Sequence, residues 1–201
     1  ANFTLDSLRL RVEKKLKEDV FTSPGFDTWQ TEFLNPDSRL WQSDIKVLFV
    51  VLHGPAFFPD GIDSRFAEVF SVPLGLIAQA QTEHKDKIFV VSTLDLPASP
   101  ALPLAGVDHA NLAVAFWRAE LERLNIPVLN LSELVAELGR ERFYNAKMWY
   151  FGSLPFSQQG ETLLAEEIVR VADAVRGKRK KCLVLDLDNT LWGGVIGEDG
   201  L

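Results

Sequence analysis

The chain has 201 residues, 47% of them hydrophobic and 24% charged, with a formal net charge of -7, the make-up of a globular protein with material for one well-formed core. The acidic balance argues against a nucleic-acid surface, no run approaches the ~18 apolar residues of a membrane span, and no basic-then-apolar leader opens the sequence. A single cysteine, Cys182, excludes an intrachain disulfide, and the expected compartment is the reducing cytoplasm.

From the N-terminus, ANFTLD reads as the exit of a first strand, its upstream half trimmed away. Leu5, Leu8, Val12 and Leu16 then recur at helical spacing behind Thr4 as N-cap. The stretch from Phe21 to Asp44 carries Ser23-Pro24-Gly25 and Asn35-Pro36-Asp37-Ser38, which predicts a weak strand and a long surface connection. Lys46 to Leu52 is a buried-strand run, and His53-Gly54-Pro55 follows it. Phe66, Val69 and Phe70 open a helix that Leu74, Ile77 and Ala80 continue, with Pro73 expected to kink or split it.

Lys87 to Thr93 is the next strand, before a proline-rich loop, LDLPASPALPLAG, unsuited to a central sheet. A helix starting at His109 presents Ala113, Phe116, Trp117, Leu121 and Leu124, and Ile126 to Leu129 return as a strand. Asn130 and Glu133 have capping-box spacing for a short helix that Gly139 ends. A last helix spans about Gln158 to Arg176, with Leu164, Ile168, Val171 and Val175 on one face. Such alternation predicts an α/β fold, a three-layer α/β/α arrangement around a parallel sheet. Residues 1–177 form that domain, and residues 178–201 are a basic linker, KRKK, and the opening of a second one.

That opening carries the chemistry. Cys182 to Leu187 is an apolar run of the buried-strand type, ending in Asp186-Leu187-Asp188. Side chains alternate along a strand, so Asp186 and Asp188 project to the same side at the carboxyl edge of a sheet. Two close carboxylates repel in a desolvated cleft unless a divalent cation such as Mg²⁺ neutralises them, and such a cation brings phosphate with it. One carboxylate can then attack phosphorus while the other handles the leaving-group proton. Asn189, Thr190, Gly193 and Gly194 supply donors for phosphate oxygens. The alternative is a plain strand followed by an Asx turn, but strand interiors rarely spend two aspartates that way. Cys182 lies four residues before Asp186, roughly 13 Å away on an extended strand, so a buried structural thiol is expected rather than an acyl acceptor.

The segment resembles motif I of the haloacid dehalogenase (HAD) superfamily, DxDxT, in Asp186, Asp188 and Thr190. The longer string DLDNTLWGGVIGEDG is similar to the FkbH-like branch of subfamily IIIC. That resemblance implies a Mg²⁺-dependent phosphatase/glyceryl transferase of polyketide biosynthesis that takes a phosphorylated three-carbon substrate, 1,3-bisphosphoglycerate, and loads its glyceryl unit onto an acyl carrier protein with loss of phosphate. It implies Asp186 as nucleophile, Asp188 as acid/base, and both as Mg²⁺ ligands. The superfamily's remaining catalytic residues follow much later than Leu201, so this portion alone is expected to be inactive. A strand as apolar as CLVLDL is further expected to be held by the main sheet or by a second copy of the chain.

The block FGSLPFSQQGETLLAEEIVRVADAV resembles the terminal block of SGNH/GDSL hydrolases, whose Asp-x-x-His pair precedes a turn and a long amphipathic helix. Aligned through Gly160, the Asp position falls on Gly152 and the His position on Pro155, while Asn2, Phe3 and Thr4 hold the site of the nucleophilic serine. The expected domain is therefore an SGNH-like, flavodoxin-type fold with a degenerate triad, serving recognition, as FkbH-like proteins carry ahead of their HAD domain. His53 is expected to be structural, a loop imidazole with a backbone partner. An esterase or acyltransferase using Ser64 or Ser153 with His53 is the competing reading. Trp149, Tyr150, Phe151 and Phe156 are expected in the core, or else as a docking face for the carrier protein.

Overall fold

The computed structural model describes residues 1–23, 25–97 and 108–177. In chain order these form α1 (Asp6–Leu16), α2 (Trp29–Leu34), β1 (Val47–Val50), α3 (Phe66–Glu83), β2 (Ile88–Ser92), α4 (His109–Arg123), β3 (Val128–Leu129), α5 (Leu131–Leu138), α6 (Arg140–Phe143), α7 (Ala146–Gly152) and α8 (Gln158–Val175). The strands make a three-stranded sheet in the order β1-β2-β3. Both pairings are parallel, Val47 opposite Ile88 through Val50 opposite Val91, then Val91 opposite Val128.

Period-two alternation sends neighbouring side chains to opposite faces. Val50, Leu52, Val91 and Val128 face a core built from Phe70, Leu74 and Ile77 of α3 and Ala113, Trp117 and Leu121 of α4. Val51, Val90 and Leu129 face the other way, into Leu8 and Val12 of α1, Val135 of α5 and Leu164, Ala165 and Ile168 of α8. The sheet is thus covered on both sides, an α/β sandwich of three layers. Each fully buried Leu, Ile or Phe contributes about 1.5–3 kcal/mol, and Trp117 adds an indole N–H donated to the Ser92 carbonyl at 3.0 Å.

Three local expectations are corrected. Phe21 to Asp44 holds no strand among its described residues; it folds as α2 and a 3-10 turn at Arg39–Trp41. Its polar side chains satisfy the backbone locally, Asn35 Oδ1 accepting from Asp37 N at 3.0 Å and Ser38 Oγ from Leu40 N at 3.2 Å, which competes with a strand ladder. The α3 helix is not split at Pro73 but continues through it. Pro73 removes one donor, so the carbonyl four residues back, at Val69, loses its helical partner, and Val69 lies on the exposed side of the helix. Neither side-chain cap forms: α1 is capped by Leu5, and Asn130 precedes α5 without a side-chain hydrogen bond. Thr4 is drawn elsewhere by the site described next.

The linker and motif segment, 178–201, and the proline-rich stretch 98–107 lie outside the described residues.

Candidate functional site at the carboxyl edge of the sheet

Where β1 and β2 end, their following loops run side by side. A Cβ on Gly54 would sit 2.6 Å from the Asp95 carbonyl oxygen and 2.8 Å from Leu96 Cδ2, so glycine is what allows the His53 loop to lie against the Asp95 loop. His53 itself is 6% exposed. Its ring stands among Trp149, Tyr144 and Phe156, with centroid separations of 4.7, 5.4 and 6.5 Å. Its backbone is clamped by Asn2: His53 N donates to Asn2 Oδ1 at 2.7 Å and Asn2 Nδ2 donates to His53 O at 3.1 Å.

The next two residues of the N-terminal segment are held as firmly. Phe3 is buried with its ring edge-on to Phe156 at 5.0 Å. Thr4 N donates to the Ser153 carbonyl at 2.9 Å and Thr4 Oγ1 to the Gly152 carbonyl at 2.8 Å. Ser153 adopts a left-handed φ of 53° at the end of α7, which turns the chain back toward the buried Phe156. In this way the segment 2–4 ties the β1 loop to α7 entirely through structural bonds.

Beside the imidazole lies a second polar group that sequence reading did not single out. Arg140 Nη2 donates to Asp95 Oδ1 at 2.6 Å, and the guanidinium carbon lies 5.8 Å from the Tyr144 ring centroid. Asp95 Oδ2 and the Tyr144 hydroxyl are both buried and neither forms a well-aligned hydrogen bond, yet they are near enough to perturb each other. Burial pushes the Asp95 carboxyl up, against Arg140 and Tyr144, which pull it down. Burial, then the neighbouring Asp95 charge, pushes the Tyr144 phenol well above its usual value. Asp95 was legible in principle: it follows the apolar run Ile88–Leu94 at the same edge as His53, where ligand-binding groups gather.

His53 is held down to about 4, chiefly by burial and secondarily by the Arg140 charge. A neutral imidazole could act as a base, but no hydrogen bond joins it to Ser64, to Ser153 or to a carboxylate among the described residues, and its Nδ1 is buried without a partner. Among the described residues the ring does not find its expected backbone partner; the backbone of His53, not its ring, is what is secured. Ser64 sits exposed in the loop before α3. The triad positions inferred for Gly152 and Pro155 carry no titratable group, and the Asn2 carboxamide is engaged on His53.

Of the aromatic group expected in the core, Phe156 is buried and Trp149 packs against it, but Tyr150 and Phe151 are 84% and 72% exposed. Consecutive residues on a helix point about 100° apart, so α7 cannot bury all three. Trp149 faces His53, and Tyr150 and Phe151 face outward, edge to face at 5.4 Å. His84 stacks flat on Trp41 at 3.9 Å. Asp186, Asp188, Asn189, Thr190, Gly193, Gly194 and Cys182 lie outside the described residues. Among the described residues no group of three or more His, Cys, Asp or Glu side chains could hold a metal ion, and no helix is long and apolar enough to cross a membrane.

Neither a family model nor a curated protein matches this sequence. Solved structures do match the fold. The N-terminal part of BF1531 from Bacteroides fragilis, containing a phosphatase domain and complexed with Mg, superposes with a TM-score of 0.74 at 18% identity, over 99% of this chain and 57% of that one. This chain thus spans 57% of that protein's crystallised length. A lipase/acylhydrolase from Enterococcus faecalis gives a TM-score of 0.55 at 21% identity, covering 90% of each chain. A putative lipolytic protein of the G-D-S-L family from Desulfitobacterium hafniense gives 0.53 at 14% identity, over 82% of this chain and 87% of that one. The chain has the α/β fold of SGNH/GDSL-type hydrolases.

Proposed function

We propose that this chain is the N-terminal portion of an FkbH-like phosphatase/glyceryl transferase, and that its α/β domain is a recognition unit without hydrolytic chemistry of its own. One observation carries the second half: the residues at the hydrolase triad positions are engaged in or suited only to structure. Asn2 and Thr4 bond to the backbone of His53, Gly152 and Ser153, and no hydroxyl among the described residues reaches the buried imidazole. The first half is supported by sequence order. The DLDNT motif follows this domain, and a fold neighbour is an N-terminal part that contains a phosphatase domain.

In this reading Asp186 and Asp188 would hold Mg²⁺, which when bound screens their mutual repulsion and that of a substrate phosphate. Asp186 serves as nucleophile, Asp188 as acid/base, and Asn189, Thr190, Gly193 and Gly194 bind phosphate. The substrate is a phosphorylated three-carbon unit and the acceptor an acyl carrier protein. The exposed pair Tyr150 and Phe151 offers that partner an aromatic surface, of the residue kind enriched at protein interfaces.

The test has two arms. A fluorophosphonate probe should leave the chain unlabelled, and labelling at Ser64 or Ser153 would restore the esterase reading. Titration with an acyl carrier protein at low salt should show saturable binding weakened by Tyr150→Ser and Phe151→Ser; a flat response removes the recognition role.

A further inference from the structure

The excursion of residues 145–155 is built like a hinged cover against the polar cluster at His53. Its base is closed by the antiparallel bridge between Tyr144 and Phe156 and by Asn145 N, which donates to the Pro155 carbonyl at 2.7 Å. From that base projects α7, none of whose residues is buried. Its end is fastened by Thr4, whose N and Oγ1 donate to the carbonyls of Ser153 and Gly152 at 2.9 and 2.8 Å. Between base and latch, Trp149 lies against the His53 ring at 4.7 Å.

The cluster that this cover adjoins holds three buried side-chain atoms without hydrogen-bond partners: His53 Nδ1, Asp95 Oδ2 and the Tyr144 hydroxyl. They share one place. The His53 and Tyr144 rings are 5.4 Å apart, Asp95 and Tyr144 perturb each other, and Arg140, its side chain 40% exposed, marks the solvent side. A single buried polar group without a partner is costly, so three together call for a ligand that offers donors and acceptors side by side. Asp95 accepts, Tyr144 donates, and an imidazole nitrogen does either. A secondary amide, with N–H and C=O on one short unit, meets that demand. A phosphate does not, because it would face the Asp95 carboxylate.

We propose that α7 is a hinged cover and that His53, Asp95 and Tyr144 behind it receive the amide-bearing pantetheine arm of the acyl carrier protein. The source of the ligand rests on the carrier reading given above, but these three residues are distinct from Tyr150 and Phe151, the surface offered to the carrier itself. Tyr150 and Phe151 lie on the outer side of the same helix, so docking and uncovering act on one element. An arm enters only when the cover is lifted, and its apparent affinity is therefore scaled by the fraction of molecules with the latch open.

Calorimetric titrations of the chain with free pantetheine, with apo-carrier, which has no arm, and with holo-carrier test this. Holo-carrier should bind about tenfold more tightly than apo-carrier. Tyr144→Phe, which keeps the ring and removes the hydroxyl, should abolish that difference and leave apo-carrier binding unchanged. Thr4→Val, which deletes the latch hydroxyl, should tighten pantetheine binding about threefold and speed hydrogen exchange at the α7 amides. Equal binding of the two carrier forms, or a holo advantage that survives Tyr144→Phe, overturns the arm site and leaves the docking surface standing. Saturable, Tyr144-dependent binding of pantetheine with no binding of either carrier form supports the arm site and removes the docking surface instead. Silence in all three titrations removes both.

Discussion

The carboxamide of Asn2 closes a two-bond ring on the backbone of His53, accepting at 2.7 Å and donating at 3.1 Å, with both residues buried. An N-terminal residue is thereby made part of the loop that leaves β1. Only a side chain carrying both a donor and an acceptor can do this. Asn2→Ala should cost about 2–3 kcal/mol, since two buried backbone groups lose their partners, and Asn2→Asp should cost more, because its second oxygen would face the His53 carbonyl. Urea denaturation of the three proteins checks the order. Asn2→Ser, which places a hydroxyl at the hydrolase nucleophile position, should gain no fluorophosphonate reactivity.

His53 should make stability fall with acid. Its folded value, about 4, lies below the ordinary 6.5, so between those limits the unfolded chain binds the extra proton. Stability contributed by the neutral ring is complete above 6.5 and lost as pH falls toward 4, roughly 3 kcal/mol at the limit. Arg140, Asp95 and Tyr144 share the site, and Asp95, raised by burial, acts with the opposite sign. The informative quantity is therefore the difference between the wild-type chain and His53→Gln, measured by denaturation at pH 7.5, 5.5 and 4.5. That difference should shift in favour of the variant as the pH drops.

Two glycines should respond in opposite directions to alanine. Gly54→Ala forces a Cβ to 2.6 Å from the Asp95 carbonyl, and should destabilise by about 1–3 kcal/mol while shifting the Asp95–Arg140 pair. Gly75 lies within α3, and a Cβ added there would meet nothing within 4 Å, so Gly75→Ala should stabilise by about 0.5–1 kcal/mol. Thermal melts of both variants test the contrast.

Removing the Arg140 guanidinium should expose how the polar cluster is held. Arg140→Met leaves Asp95, whose second oxygen is already unpartnered, without its cation, and the carboxyl should protonate more readily still. Stability of that variant relative to wild type should improve as pH is lowered, because protonation relieves the uncompensated charge. A difference independent of pH would mean that the cluster does not titrate as described.

Much of this architecture was legible because its strands are short apolar runs flanked by turn residues. Lys46 to Leu52 and Lys87 to Thr93 became β1 and β2, each trimmed to the residues that share a ladder. The stretch before β1 was not legible, since Asn35 and Ser38 satisfy their neighbours' backbone by side chains, a competition that hydrophobic period does not report. Of the site, His53 and the empty triad positions could be read from spacing. Asp95, Arg140 and Tyr144 could not be joined that way, because 45 residues separate Asp95 from Arg140 and only the packing of α6 against the β2 exit brings them together. Nor did sequence separate Trp149 from Tyr150 and Phe151, whose fates depend on which side of a seven-residue helix meets His53.

The most direct measurement is Mg²⁺-dependent phosphate release from an acyl phosphate by the full-length protein and its variants. Release should disappear with Asp186→Asn and with Asp188→Asn, and persist in Ser64→Ala, Ser153→Ala and His53→Gln wherever those remain folded. Turnover that survives both aspartate substitutions, or that requires Ser153 and His53, would contradict the division of labour between a catalytic aspartate pair and a non-hydrolytic α/β domain.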